Sequence, residues 1–72
     1  MNDLQMDEKI ARVADILEQV DKLNHMIEFH RDQSGEKSMV KQYEEMRSEF
    51  LDELREILSN FDIDIEIKGK AA

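Results

Sequence analysis

Between Met6 and Ile27 the chain follows a repeat of alternating four- and three-residue steps through Met6, Ile10, Val13, Leu17, Val20, Asn24 and Ile27. All but Asn24 are apolar. This is the seam of an amphipathic helix, with Ile10, Leu17 and Asn24 at heptad position a and Met6, Val13, Val20 and Ile27 at d. Ile16, Leu23 and His30 fall at g and widen the stripe, as expected of a helix that faces more than one neighbour. The pattern predicts a helix over about residues 3–31. Asn2 with Gln5 forms a capping pair at its start. Glu8–Arg12 and Glu18–Lys22 are acid-before-base pairs four residues apart on the polar face.

The periodicity stops at Asp32-Gln33-Ser34-Gly35-Glu36-Lys37-Ser38, which has no apolar residue. Gly35 can take the left-handed conformation that ends a helix. A loop over 32–37 is short enough to join antiparallel neighbours. Helical spacing resumes over about 38–59 with Met39, Val40, Tyr43, Met46, Phe50, Leu51, Leu54, Ile57 and Leu58, and Phe61 continues the same face. Glu53 stands where a strict heptad would place d, so the segment reads as a bundle helix and not as a long coiled-coil strand. Ser59-Asn60 is the expected stop. The period then changes to two. Phe61, Ile63, Ile65 and Ile67 alternate with Asp62, Asp64, Glu66 and Lys68, the pattern of a half-buried β-strand over about 61–68. On a helix the same alternation would scatter its apolar residues to all sides. Residues 69–72 read as a frayed end.

The expected fold is mainly all-α. It is one domain, residues 1–72, built as an antiparallel two-helix hairpin with a short C-terminal β-strand and completed by oligomerisation into a helical bundle. A lone strand has no ladder, and nothing else in the chain has strand character. Its partner is therefore expected from a second copy or from a different protein. An antiparallel self-pair centred on residue 65 would set Asp62 against Lys68, but also Asp64 against Glu66.

Size strengthens the case for association. At 72 residues the chain is near the length below which one core rarely supplies more than about 3–5 kcal/mol. It has no cysteine, so neither disulfides nor thiolate zinc can brace it. Charged residues make up 39% of the chain, a share that suits disorder, but the regular apolar spacing argues against that class. With 18 acidic and 10 basic residues the net charge is −8, which gives no attraction for nucleic acid or anionic lipid. No apolar run approaches the ~20 residues of a membrane span. The opening MNDLQMDEK lacks the features of a signal peptide, and the cytoplasm is the expected compartment.

Candidate chemistry is sparse. Asp21, His25, Glu28 and Asp32 form a polar row on the first helix, but they lie away from the seam, and a solvated face explains them better than a metal. Glu45, Glu49, Asp52 and Glu56 form an acidic ridge on the second helix. Solubility accounts for such a ridge, and docking to a basic partner is the alternative. His30 sits where a cation favours a helix C-terminus. The serines lack the strand-turn-helix setting of a nucleophile. The two glycines form no phosphate loop. The methionines read as fillers of an irregular core. Asn24 either lies in the seam and fixes register, or sits at its margin while Leu23 takes the core position.

The residues therefore point to no catalytic, cofactor or metal site. The expectation is a non-enzymatic protein–protein interaction module that self-associates through Ile10, Val13, Leu17, Val20, Asn24 and Ile27, and through Phe61, Ile63, Ile65 and Ile67. The alternative is a small acidic regulator or chaperone-like protein that occupies a basic or apolar surface of another protein. A charge at Leu17, inside the seam, is expected to unfold the chain. The hairpin plan itself is shared by many unrelated small proteins and carries no function.

Overall fold

The computed structural model describes residues 2–68, and the side chains of residues 7–68. The side chains of Asn2, Gln5 and Met6, and the whole of residues 69–72, lie outside the described residues. Helix α1 runs Asn2–Phe29, a π-type turn covers His30–Ser34, and helix α2 runs Lys37–Ser59. Contacts between the helices descend in register. Arg12 meets Glu53, Asn24 meets Arg47, and His30 stacks on Tyr43. As one number rises the other falls, so the helices are antiparallel.

Helical winding continues to Ser34, further than the expected break at Asp32, and only Gly35 and Glu36 are non-helical. Side chains explain the wider last turn. Ser34 Oγ lies 2.8 Å from His30 Nδ1 and accepts a hydrogen bond from the Glu36 amide at 3.3 Å. The His30 ring is held in turn, stacked on Tyr43 at 5.5 Å between centroids and edge-on to Phe29. Gly35 then reverses the chain at φ 69°, ψ 14°.

Helix α2 ends by tightening. The Asn60 amide donates to the Ile57 carbonyl at 3.0 Å, and the Phe61 amide to that of Leu58 at 2.9 Å. The residue that turns the chain is Asp62, at φ 58°. On either side of it the Asp62 amide donates to Ser59 and the Ile63 amide reaches back to Leu58, each at 3.1 Å. This pair of bonds is a Schellman motif, with an aspartate where glycine is usual.

Six residues are buried among those described: Ile16, Val20, Leu23 and Ile27 from α1, and Leu51 and Leu54 from α2. Ile16 is fully enclosed. The core seam of α1 is thus rows d and g, where the sequence suggested a and d. Rows d and g centre about 90° from row a at 100° per residue. All three rows carry apolar residues, and α2 is wide enough to cover only two of them.

The expected strand over 61–68 is not present among the described residues. Phe61 and Asp62 belong to the turn, and residues 63–67 have no regular secondary structure. A ladder needs a second strand, and the described residues of the chain offer none. The alternation still shows in the packing. Ile65 and Ile67 lie against the cluster of Ile16, Val20, Leu51 and Leu54.

The radius of gyration is 14.4 Å, against about 11 Å for a compact chain of this length. The extents are 48 × 22 × 13 Å, and the described residues form one layer of two helices with an extended segment laid against it. No described helix is long and apolar enough to cross a membrane.

The turn makes a specific stability prediction. A Cβ at Gly35 would meet nothing within 4 Å, so only the torsional penalty opposes it. Gly35→Ala should therefore destabilise the chain by about 1–2 kcal/mol, the left-handed penalty of an L-residue, in a urea titration followed by helix signal.

Candidate interaction surface

The most exposed part of the predicted seam is row a. Ile10 is 56% exposed and Leu17 53%, each on a helix whose next row is buried. Asn24 continues the row and is also exposed. It lies at the margin of the core, where its Oδ1 accepts a hydrogen bond from Arg47 Nε at 2.7 Å. Of the other proposed seam residues, Val20 and Ile27 are buried and Val13 packs against the core. These residues line the helix–helix contact within one chain. Leu17 is not enclosed in the hairpin, so a charge there has water beside it and the expected unfolding does not follow.

Arg47 also sets the position of the tail. Its Nη2 donates to the Lys68 carbonyl at 3.4 Å, so one guanidinium joins α1, α2 and the end of the extended segment. Beyond this point an open cleft of about 430 Å³ continues between the helices. Ile27, Leu51 and Ile67 supply its apolar lining, with Arg31, Lys41 and Glu44 among its charged neighbours. In the tail, Phe61, Ile65 and Ile67 are partly covered, whereas Ile63 remains exposed.

The acidic ridge stands clear of the core. Glu45, Glu49, Asp52 and Glu56 are all exposed, and among the described residues none lies within 4 Å of a basic group. The row Asp21, His25, Glu28 and Asp32 is likewise exposed. His25 Nδ1 donates to the Asp21 carbonyl at 2.9 Å, a local helix contact. No group of three or more metal-ligating side chains is gathered among the described residues. Met26 and Met46 are more exposed than core fillers would be.

One contact was missed by reading each helix alone. Arg12 does not pair with Glu8. It turns to α2 and grips Glu53 with two hydrogen bonds, Nε to Oε2 at 2.6 Å and Nη2 to Oε1 at 2.7 Å. Its Nη1 reaches Asp15 Oδ2 at 2.8 Å, and the guanidinium sits 5.9 Å from the Phe50 ring centroid. Glu53 is the residue that breaks the heptad of α2, and that break was the available signal. Hydrogen bonding from Arg12 holds the Glu53 carboxyl below its ordinary pKa, partial desolvation opposes this, and the guanidinium charge adds to the lowering.

Compared with known proteins, the chain matches no family model, no curated protein and no solved structure.

A pH prediction follows from the Arg12–Glu53 pair. Because the folded-state pKa of Glu53 is depressed, its stabilising effect is present above the ordinary carboxylate value of about 4.3 and is lost as pH falls through the folded value. Glu53→Gln should melt below the wild type at pH 7. The gap should close as the pH falls from the ordinary carboxylate value through the depressed folded value of Glu53, below which both side chains are neutral. Thermal melts of the two proteins across that range check this.

Proposed function

We propose that this chain is a non-enzymatic interaction module that associates with its own copy, burying row a of α1 in a shared helical bundle. The observation that carries the reading is the pair Ile10 and Leu17, both more than half exposed beside a buried row. Two branched aliphatic side chains on one helix line, in a layer with no second layer over it, are suited to a helix of another chain. Burying a side chain of this size is worth about 1.5–3 kcal/mol. The absence of cysteine and of any nucleophile context in the sequence supports a binding role over catalysis.

In this reading the tail takes part as well. A strand over residues 61–68 would form only against a strand of another molecule, where its unladdered amides and carbonyls find partners.

A second reading is favoured by the exposed ridge Glu45, Glu49, Asp52 and Glu56. Four exposed like charges, none within 4 Å of a basic group among the described residues, suit an acidic regulator that occupies a basic surface of another protein. Binding of that kind weakens steeply with salt, whereas burial of row a does not.

Sedimentation velocity tests the first reading. The wild type should be a dimer or larger at tens of micromolar. Leu17→Asp should keep its helix signal and associate at least about tenfold more weakly, the equivalent of about 1.4 kcal/mol. A wild type that remains monomeric at every concentration, or a Leu17→Asp protein of unchanged mass, would overturn it.

A further inference from the structure

We propose that residues 63–68 are an exchangeable arm, and that the groove they occupy in their own chain is a binding site for the same arm of a second copy. The inference rests on self-association and names a second contact through which it occurs.

Three observations carry it. The first is how the arm is held. Ile65 and Ile67 pack against the core cluster of Ile16, Val20, Leu51 and Leu54. Beyond the Ile63 amide, the arm makes no main-chain-to-main-chain hydrogen bond among the described residues. Its only fixed polar tie there is the 3.4 Å contact from Arg47 to the Lys68 carbonyl. An arm held by alternate side chains in a groove binds as an added peptide does, and the groove does not distinguish its own arm from an identical one.

The second observation is the hinge. To fold back onto its own chain the arm must leave α2 through Asp62 at φ 58°. Aspartate tolerates this region better than most residues, yet it remains unfavourable for any L-residue. An arm that continues outward to a neighbour needs no left-handed residue. The exchanged form keeps the contacts of Ile65, Ile67 and Lys68 and releases the hinge.

The third is the unused hydrogen-bonding capacity of the arm. In a two-fold pair the exchanged arms cross with opposite directions. Their main chains then run antiparallel near the hinge and can supply each other the ladder that one chain lacks. The apolar–acidic alternation of residues 61–67 suits that crossing, with one face toward the helices and the other toward water.

A hinge series tests the exchange without touching the groove. Asp62→Asn removes the charge and keeps a residue tolerant of the left-handed region. Asp62→Gly relaxes the closed turn, and Asp62→Thr, which is β-branched, strains it. All three are uncharged at residue 62. Measured by sedimentation equilibrium, association should weaken about tenfold from Asn to Gly and strengthen about tenfold from Asn to Thr. As an independent readout, the cysteine-free chain allows disulfide trapping across the groove, where Ser48 and Ile67 line the same cleft. Equal amounts of a Ser48→Cys chain and a Lys68→Cys chain, mixed and oxidised, should give the mixed disulfide as the main product. A flat or reversed hinge series overturns the exchange. So does a mixture that yields only free thiols or the two homodisulfides, Ser48→Cys with Ser48→Cys and Lys68→Cys with Lys68→Cys. If the protein associates nonetheless, self-association through row a stands and the arm is closed. If every variant and the wild type are monomeric, both proposals fail together.

Discussion

One geometric constraint governs this molecule: two helices side by side share a single contact, and the apolar stripe of α1 is wider than that contact. Rows a, d and g all carry aliphatic residues. Helix α2 covers d and g, where Ile16, Val20, Leu23 and Ile27 are buried, and leaves Ile10 and Leu17 of row a facing water. Among the described residues there is no third helix to turn over the exposed row. The extended tail partly compensates by laying Ile65 and Ile67 against the core. It makes no ladder there, and it reaches that position only through a left-handed aspartate.

Polar contacts fix the alignment of what the apolar residues hold together. The Arg12–Glu53 fork ties one end of the hairpin, the His30–Tyr43 stack the other, and Arg47 joins both helices to the tail between them. Apolar packing alone is non-directional, and a helix pair held by it can slip by a turn. A bidentate guanidinium–carboxylate pair has one geometry. Its contribution to stability is modest at so exposed a site, and its effect is chiefly on register.

Much of this architecture was legible in the sequence, because it depends on period. The spacing of Met39 through Leu58 located α2 closely, and Gly35 marked the reversal between the helices. The width of the first stripe announced that one neighbour would not suffice. The rotation of α1 was not legible. When three adjacent rows are apolar, the sequence alone does not say which two the partner helix takes, and Leu23 rather than Asn24 entered the core. Asp62 was also hidden, since Ser59-Asn60 looked like the stronger stop signal and an aspartate in the left-handed region has no signature of its own. The strand was over-read for a physical reason: alternation records which side of a segment is apolar, while a strand also needs a neighbour to bond. The Arg12–Glu53 pair spans the two helices, and a search along one helix at a time does not meet it.

The central claim is that the hairpin completes its core with a second copy. Thermal unfolding followed by circular dichroism over a hundredfold range of protein concentration tests it most directly. Where folding is coupled to association, the midpoint must rise with concentration, because mass action favours the associated native state. The account predicts a steady rise across the range. A midpoint that stays constant, with a transition of unchanged shape, would show that the single hairpin is the complete folding unit and would contradict it.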